Sequence, residues 1–481
     1  MPGSLVGDGR TALMTEELPA HRAYGRPTRQ KLPSWRWEEL RTTFWLVPAI
    51  LVAAAVVLFA ITVSIDFAAY HHHLTLPFWI RTEGADAGRE VLTAIAAAVI
   101  TVVGVVFSIT ILALTLASQQ FGPRMMRNFV RDVGNQVTLG VFVATFVYSV
   151  LALGSITSSP RGTFVPELSI FVAEALLLLN LAVLIYFIHH IAKSIQLPEV
   201  IAGIARDLTR AIDAEFPQLS AHVVGERLEE SGRTVAELLQ LIEESGKRVL
   251  ADTSGYLQFV GYAQLVEIAT ATDGVIRLDH RPGHFLMAGR PLATVWPEAA
   301  AAQVAQALAK AHVTGPHRTL MQDPVFAIDQ LVEIGIRALS PAVNDTFTAL
   351  TCIDWLAAGL SRVSGRVLDE GVYRDRLRRV RLIEFDPSYA RMVNRAFDKV
   401  RQSSSGMPAV IIRMLDSLAA ISEATTSAEQ RAVLARQADM IMRSAEESVR
   451  EPNDLEDIRV RYHRVVGEPG MPVARGGSQP R

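Results

Sequence analysis

Thr101, Gly104, Ser108 and Thr115 recur at steps of three, four and seven residues, and Gln119 continues the series. That spacing puts them near one face of a helix. Small hydroxylated residues on one face of an apolar helix either let a neighbouring helix approach closely or line a water-filled path. Glu174 lies inside a different apolar run. A carboxylate there is costly unless it faces protein or water. A third set is basic. Arg124, Arg127 and Arg131 lie largely opposite Phe121, Met125, Met126, Phe129, Val130 and Val133 along residues 121–133. Such a helix lies in a membrane interface and meets anionic lipid. At the mouth of an oligomeric pore the same charges would disfavour cations.

The second half of the chain offers one further cluster. Asp323-Pro324 is a helix-start signal, with Asp as N-cap and Pro in the first turn. Arg337 can pair with Glu333 one turn away, Ser340-Pro341 ends that helix, and Asn344-Asp345 caps the next. Asp323, Arg337, Asn344 and Asp345 either bind a small polar ligand of the cytoplasmic domain or simply fix an αα-turn. His71, His72 and His73 are adjacent and cannot all point one way, so surface or headgroup contact is expected there. Asp279, His280 and His284 read as solvated loop residues rather than metal ligands, and His189 and His190 as residues that snorkel at a membrane boundary. The single cysteine, Cys352, sits in an apolar run and reads as a buried thiol; it excludes an intrachain disulfide. No phosphate-binding Gly loop, HExxH or GxSxG motif occurs. No catalytic residue, metal or cofactor is therefore expected.

These groups must be positioned by elements that hydropathy locates. Four apolar segments, 44–65, 91–118, 137–156 and 168–191, each reach the ~20 residues that span a bilayer as a helix. Trp35, Trp37 and Trp45 beside Arg36 and Arg41 form the aromatic and basic belt of an interface. Basic residues crowd the N-terminal tail, the 121–133 helix and the stretch after the fourth segment. The other two loops carry few. The positive-inside rule then places both termini in the cytoplasm. Residues 34–194 form the transmembrane domain, and residues 1–33 and 469–481 are expected to be disordered tails. Residues 195–468 read as a cytoplasmic α+β domain with a small β-containing module at 247–297. The formal net charge of -2 argues against a nucleic-acid surface.

Three runs carry a family resemblance: SQQFGPRMMRNFVRDVGNQVTLGVFVATFVYSVLAL, IYFIHHIAKSIQ and DPVFAIDQLVEIGIRALSPAVNDTFTAL. Together they resemble the bacterial membrane proteins of domain-of-unknown-function family 2254. Thr346 departs from the Pro expected after Asn344-Asp345 in many of them. The resemblance implies the membrane-plus-soluble layout and brings no activity or catalytic residue with it. The fold class expected is an α-helical membrane protein of four transmembrane helices with a C-terminal cytoplasmic α+β domain. It would sit in a bacterial inner membrane, with the lipid bilayer and further copies of itself as partners. The leading functional expectation is an oligomeric channel-like or transport protein with a cytoplasmic regulatory domain. The alternatives are a membrane-anchored ligand sensor or scaffold and, with no motif to support it, a membrane enzyme.

Overall fold

Long apolar stretches without a helix breaker fold as helices because the backbone then satisfies its own hydrogen bonds. The computed structural model describes residues 45–71, 77, 84–121, 132–159, 162–216, 232–364, 366, 371–384 and 388–467. Among them, helices α1 (Leu46–Tyr70), α2 (Ala85–Phe121), α3 (Val133–Ser155) and α4 (Glu167–Ser194) are long and apolar enough to cross a membrane. All run past their hydropathy limits at one end or both. α1 continues beyond Ile65 to Tyr70, and α2 begins at Ala85 rather than Val91, because a helix extends into polar residues that hydropathy excludes. Of the expected helix at 121–133 only the ends are described: Phe121 closes α2 and Val133 opens α3.

α3 is the centre of this group and packs against α1, α2 and α4. It is the least apolar of the four and the most enclosed, with 50% of its spanning window buried against 17–22% for the others. A helix surrounded by protein need not be as greasy as one facing lipid. Gly140 marks the closest approach to α1: a Cβ there would meet Leu51 Cδ1 at 2.6 Å and the Pro48 backbone at 3.0 Å. Leu92, Phe142, Tyr148, Ile170 and Phe187 fill the interior, while Val57, Ile61, Leu178, Leu181, Ile185 and Ile188 are exposed. An apolar exterior of that extent is what a lipid-facing surface needs. A short hairpin, β1 (Thr157–Ser159) with β2 (Gly162–Phe164), joins α3 to α4.

The chain divides into two compact units. The larger holds these four helices and a helical bundle: α5 (Leu197–Glu215), then, after the second unit's main segment (residues 223–318), α9 (Pro324–Ala338), α10 (Thr346–Ser364), α11 (Tyr389–Ser403), α12 (Pro408–Ala424), α13 (Ala428–Ser448) and α14 (Pro452–Val466). Leu208, Leu331, Ile353, Phe397, Leu415 and Ile441 are in its core.

The smaller unit contains α6 (Val235–Ser245), α7 (Tyr262–Ala271), α8 (Ala301–Ala311) and two sheets. The five-stranded sheet has the order β3 (Lys247–Leu250), β7 (Pro291–Trp296), β5 (Val275–Leu278), β10 (Val380–Glu384), β9 (Val372–Arg374). Only β5 and β10 run parallel. The other sheet is β6 (Phe285–Leu286), β4 (Gly255–Val260), β8 (His312–Gly315). α6 packs Leu238 and Ile242 with Val275, Val380 and Ile383, whereas Leu265 of α7 and Leu308 of α8 cluster with Ile276, Leu278 and Leu382. A sheet covered on both faces explains why β5 and β10 read as nearly continuous apolar runs. The module thus extends beyond 247–297. It takes β8 and the β9–β10 hairpin from later parts of the chain.

Candidate functional site

α4 begins after Pro166, which has no side chain able to cap it. Its first amides lack intrahelical acceptors. Asp66, near the end of α1, supplies them. Its Oδ1 accepts from Leu168 N at 2.8 Å, and its Oδ2 accepts from Ser169 N at 3.0 Å and Ser169 Oγ at 2.7 Å. The helix dipole favours an anion at this position. Ser169 Oγ is also 3.1 Å from Thr62 Oγ1, which is 2.8 Å from Tyr148 OH on α3. Thr62, Asp66, Tyr148 and Ser169 are all buried. Hydropathy places Asp66 in a loop, one residue beyond the apolar run. The signal that could have found it is the i, i+4 spacing of Thr62 and Asp66.

A second polar contact closes the other end of the same helices. Asp132 caps α3, its Oδ1 accepting from Gly134 N at 2.7 Å, and its Oδ2 lies 2.8 Å from His190 Nε2 on α4. Tyr186 stacks on the His190 ring with centroids 5.3 Å apart. A Cβ at Gly134 would sit 2.7 Å from His190 Nε2, so glycine is what lets the imidazole reach the cap. Of the two boundary histidines, His189 is exposed and His190 is engaged.

Between these ends, α3 buries Asn135, Thr138, Phe142, Thr145, Ser149 and Ala152 at alternating steps of three and four. Thr145 and Ser149 donate to the carbonyls of Val141 and Thr145 at 3.0 and 2.9 Å. Asn135 Nδ2 and Oδ1, Thr138 Oγ1, and Asn180 Nδ2 and Oδ1 on α4 are buried without a hydrogen-bond partner among the described residues. Each such orphan costs about 1–3 kcal/mol, so five of them along one helix pair require water or another polar occupant.

The hydroxyl stripe expected from the sequence lies elsewhere. Thr101, Gly104, Ser108 and Thr115 are exposed on α2, and a Cβ at Gly104 would meet nothing within 4 Å. The three hydroxyls donate to the carbonyls of Ala97, Gly104 and Ile111 at 2.7, 2.8 and 2.9 Å. Gln119 continues the helix. Glu174 is exposed on α4. Arg124, Arg127 and Arg131 lie outside the described residues, as do His72 and His73.

In the helical bundle, Asp345 caps α10: Oδ1 accepts from Thr348 N at 3.1 Å and Oδ2 from Thr348 Oγ1 at 2.6 Å. Asn344 is exposed at a left-handed φ of 50°, and the Asp345 amide donates to Ala338 O at 2.8 Å to close the turn. Arg337 is half-buried beside it, its carbonyl accepting from Ser340 Oγ at 2.7 Å. Asp323 is buried at the far end of α9 and makes no side-chain cap to that helix. About 20 Å of helix separates it from the turn, so the four residues are not one cluster.

In the smaller unit, Asp279 is held by Arg277 Nε at 3.0 Å and Thr294 Oγ1 at 3.0 Å, and Arg281 Nε donates to His284 Nε2 at 3.2 Å. Among the described residues no group of three His, Cys, Asp or Glu side chains is arranged to hold a metal ion. Cys352 is buried in the helical bundle, and burial, with the nearby Asp345 charge adding to it, pushes the thiol up to about 12. The native protein is expected to resist alkylation by iodoacetamide at pH 8 and to take up one equivalent only after denaturation. Rapid labelling of the native chain would show that the α9–α10 core opens.

A family model described as a predicted membrane protein (DUF2254) matches residues 41–420. An uncharacterized protein of Mycobacterium bovis and one of Mycobacterium tuberculosis are each 31% identical to this chain over 391 residues, which make up 79% of this chain and 73% of each relative. No solved structure matches the chain.

Proposed function

We propose, for a chain that belongs to the DUF2254 family of predicted membrane proteins, the role of an oligomeric, channel-like protein of a bacterial inner membrane. In this reading α1–α4 span the bilayer, both termini are cytoplasmic, and the C-terminal α and β elements gate or assemble the membrane part. The observation that carries it is Glu174, exposed on α4 seven residues after its start at Glu167. A hydrocarbon slab of about 30 Å covers about 20 residues of a helix. Centred on the 28 residues of α4, that slab includes Glu174. A charged side chain there costs about 3 kcal/mol or more against lipid. A second subunit or an aqueous path removes that cost. The exposed Thr101, Gly104, Ser108 and Thr115 face on α2 supports the same reading, since small residues let helices of two copies meet closely.

In this reading Arg124, Arg127 and Arg131 meet lipid rather than the pore mouth and the Glu174 carboxylate selects cations, so the purified protein in liposomes should pass monovalent cations, with a detergent-corrected mass of more than one chain. Glu174→Gln should lower that flux about tenfold. A folded protein of single-chain mass that passes no ion at any voltage or pH would end this reading. The open polar face of α11 over Arg391, Asn394, Arg395, Asp398, Lys399 and Gln402 favours a second one, a membrane-anchored sensor of a small polar ligand. Absence of flux together with ligand-induced thermal stabilisation would select it.

A further inference from the structure

We propose that each chain conducts protons through the interior of its own four-helix group, along the buried face of α3. This path goes beyond the oligomeric reading, because it lies inside one chain and needs no second copy. It has titratable groups at both ends. At one end Asp66, Ser169, Thr62 and Tyr148 form an unbroken row with successive oxygens 2.7, 3.1 and 2.8 Å apart. At the other, Asp132 and His190 are 2.8 Å apart, with Tyr186 stacked on the imidazole. Lys193, one turn on, is engaged by Glu199 at 3.5 Å, and His189 points to the exterior.

Between the ends, Ser149, Thr145, Thr138 and Asn135 share the buried face of α3. Asn180 comes from α4. The antiparallel register is pinned by Asp132 against His190 and by Tyr148, through Thr62, against Ser169. Halfway between those contacts, Asn180 is about level with Gly140, between Thr138 and Thr145. The atoms of Asn135, Thr138 and Asn180 that have no partner among the described residues lie at these levels, in side chains nine-tenths buried or more. Water satisfies such groups. Phe142 shares that buried face, and an apolar side chain there disfavours a hydrated ion. Each hop breaks one O–H bond and makes the next. A proton taken up by the Asp66 carboxylate displaces one released from the His190–Asp132 pair, and the hydroxyls and waters turn back before the next passage. One proton and one charge cross, driven by the proton gradient.

The full chain is reconstituted in liposomes holding a pH-sensitive dye, under a K+ diffusion potential. Asn180→Leu should lower proton uptake at least tenfold. Leu181→Ala, on the exposed side of the same helix, should leave it within twofold. Thr145→Val, which removes one hydroxyl, should lower it at least threefold and is read alone if Asn180→Leu fails to fold. Wild-type protein without proton flux, or flux that both folded interior variants leave intact, overturns the proposal. Monovalent-cation flux is measured in the same vesicles. Proton flux that depends on Asn180 without cation flux sustains this path and removes the oligomeric one. Cation flux without Asn180-dependent proton flux does the reverse.

Discussion

Asp66→Ala should destabilise the detergent-solubilised protein by about 2–4 kcal/mol, the largest effect expected for a single polar residue in α1–α4. Three hydrogen bonds end on this carboxylate, two from backbone amides of α4 and one from Ser169 Oγ. Interhelical hydrogen bonds in membranes average only about 0.6 kcal/mol each, which alone would give ~2 kcal/mol. Two considerations raise that figure. The acceptor is a carboxylate at the positive end of a helix, and its removal leaves buried amides without a partner. Pro166 cannot replace it, so α4 has no cap of its own to fall back on. Asp66→Asn keeps one carbonyl acceptor and should lose about half as much. Thermal unfolding in one detergent, with helicity as the signal, measures both. An Asp66→Ala protein within 0.5 kcal/mol of wild type would show that the α1–α4 cap contributes little beyond geometry.

The second large effect is expected in the five-stranded sheet. Arg381 of β10 is buried and makes three contacts: Nε to Asp375 Oδ2 at 2.8 Å, Nη2 to Asp273 Oδ1 at 2.7 Å and Nη1 to Gly274 O at 3.2 Å. Asp375 precedes β10 and its side chain is also buried, whereas Asp273 is exposed. The Arg381 guanidinium therefore ties a strand from the far part of the chain to the turn before β5. Removing one partner of a buried pair costs about 3–5 kcal/mol, because the other charge stays behind. Asp375→Ala should approach the lower end of that range, since Gly274 O and Asp273 still receive two of the donors. Arg381→Met should cost less, because the Leu377 and Arg379 amides still donate to Asp375 and an apolar side chain suits the site. Hydrogen exchange at 275–278 and 380–384 would report the loss directly. Equal stability of all three proteins would show that apolar packing alone holds β10.

The same triad has a pH signature. Burial pushes the Asp375 carboxyl up, but Arg381 and the two backbone amides outweigh it and hold the group below the usual carboxylate range. A carboxyl depressed in the folded state stabilises fully above its unfolded value of about 3.9. That contribution is lost as pH falls through the folded value. Acid should therefore loosen β10 before neutral pH has any effect, and Asp375→Ala should flatten that part of the stability profile.

Local pattern carried much of the architecture. Thr234 and Glu237 spell a capping box, and both reciprocal hydrogen bonds form. Asp345 followed by Thr348 marks a helix start, and the cap is made. Non-local pairing was beyond such signals. VRLIEF reads as a strand, but nothing near it says that its neighbour is β5, about a hundred residues earlier. Asp66 was hidden for a related reason, because its partners are more than a hundred residues away.

From composition and period alone, this chain is determined to carry four helices able to cross a membrane and a following part of mixed helix and strand. The same period shows that Thr101, Gly104, Ser108 and Thr115 share one face, and the structure adds that Asn135, Thr138, Thr145 and Ser149 share another. Only the tertiary structure decided that the first face of the helix group is open and the second enclosed. The physical reason is that periodicity ranks residues around one helix axis, whereas burial depends on which neighbours pack against it. The most conspicuous polar stripe therefore faces outward, and the polar groups that need a partner lie inside the helix group, on α3 and α4.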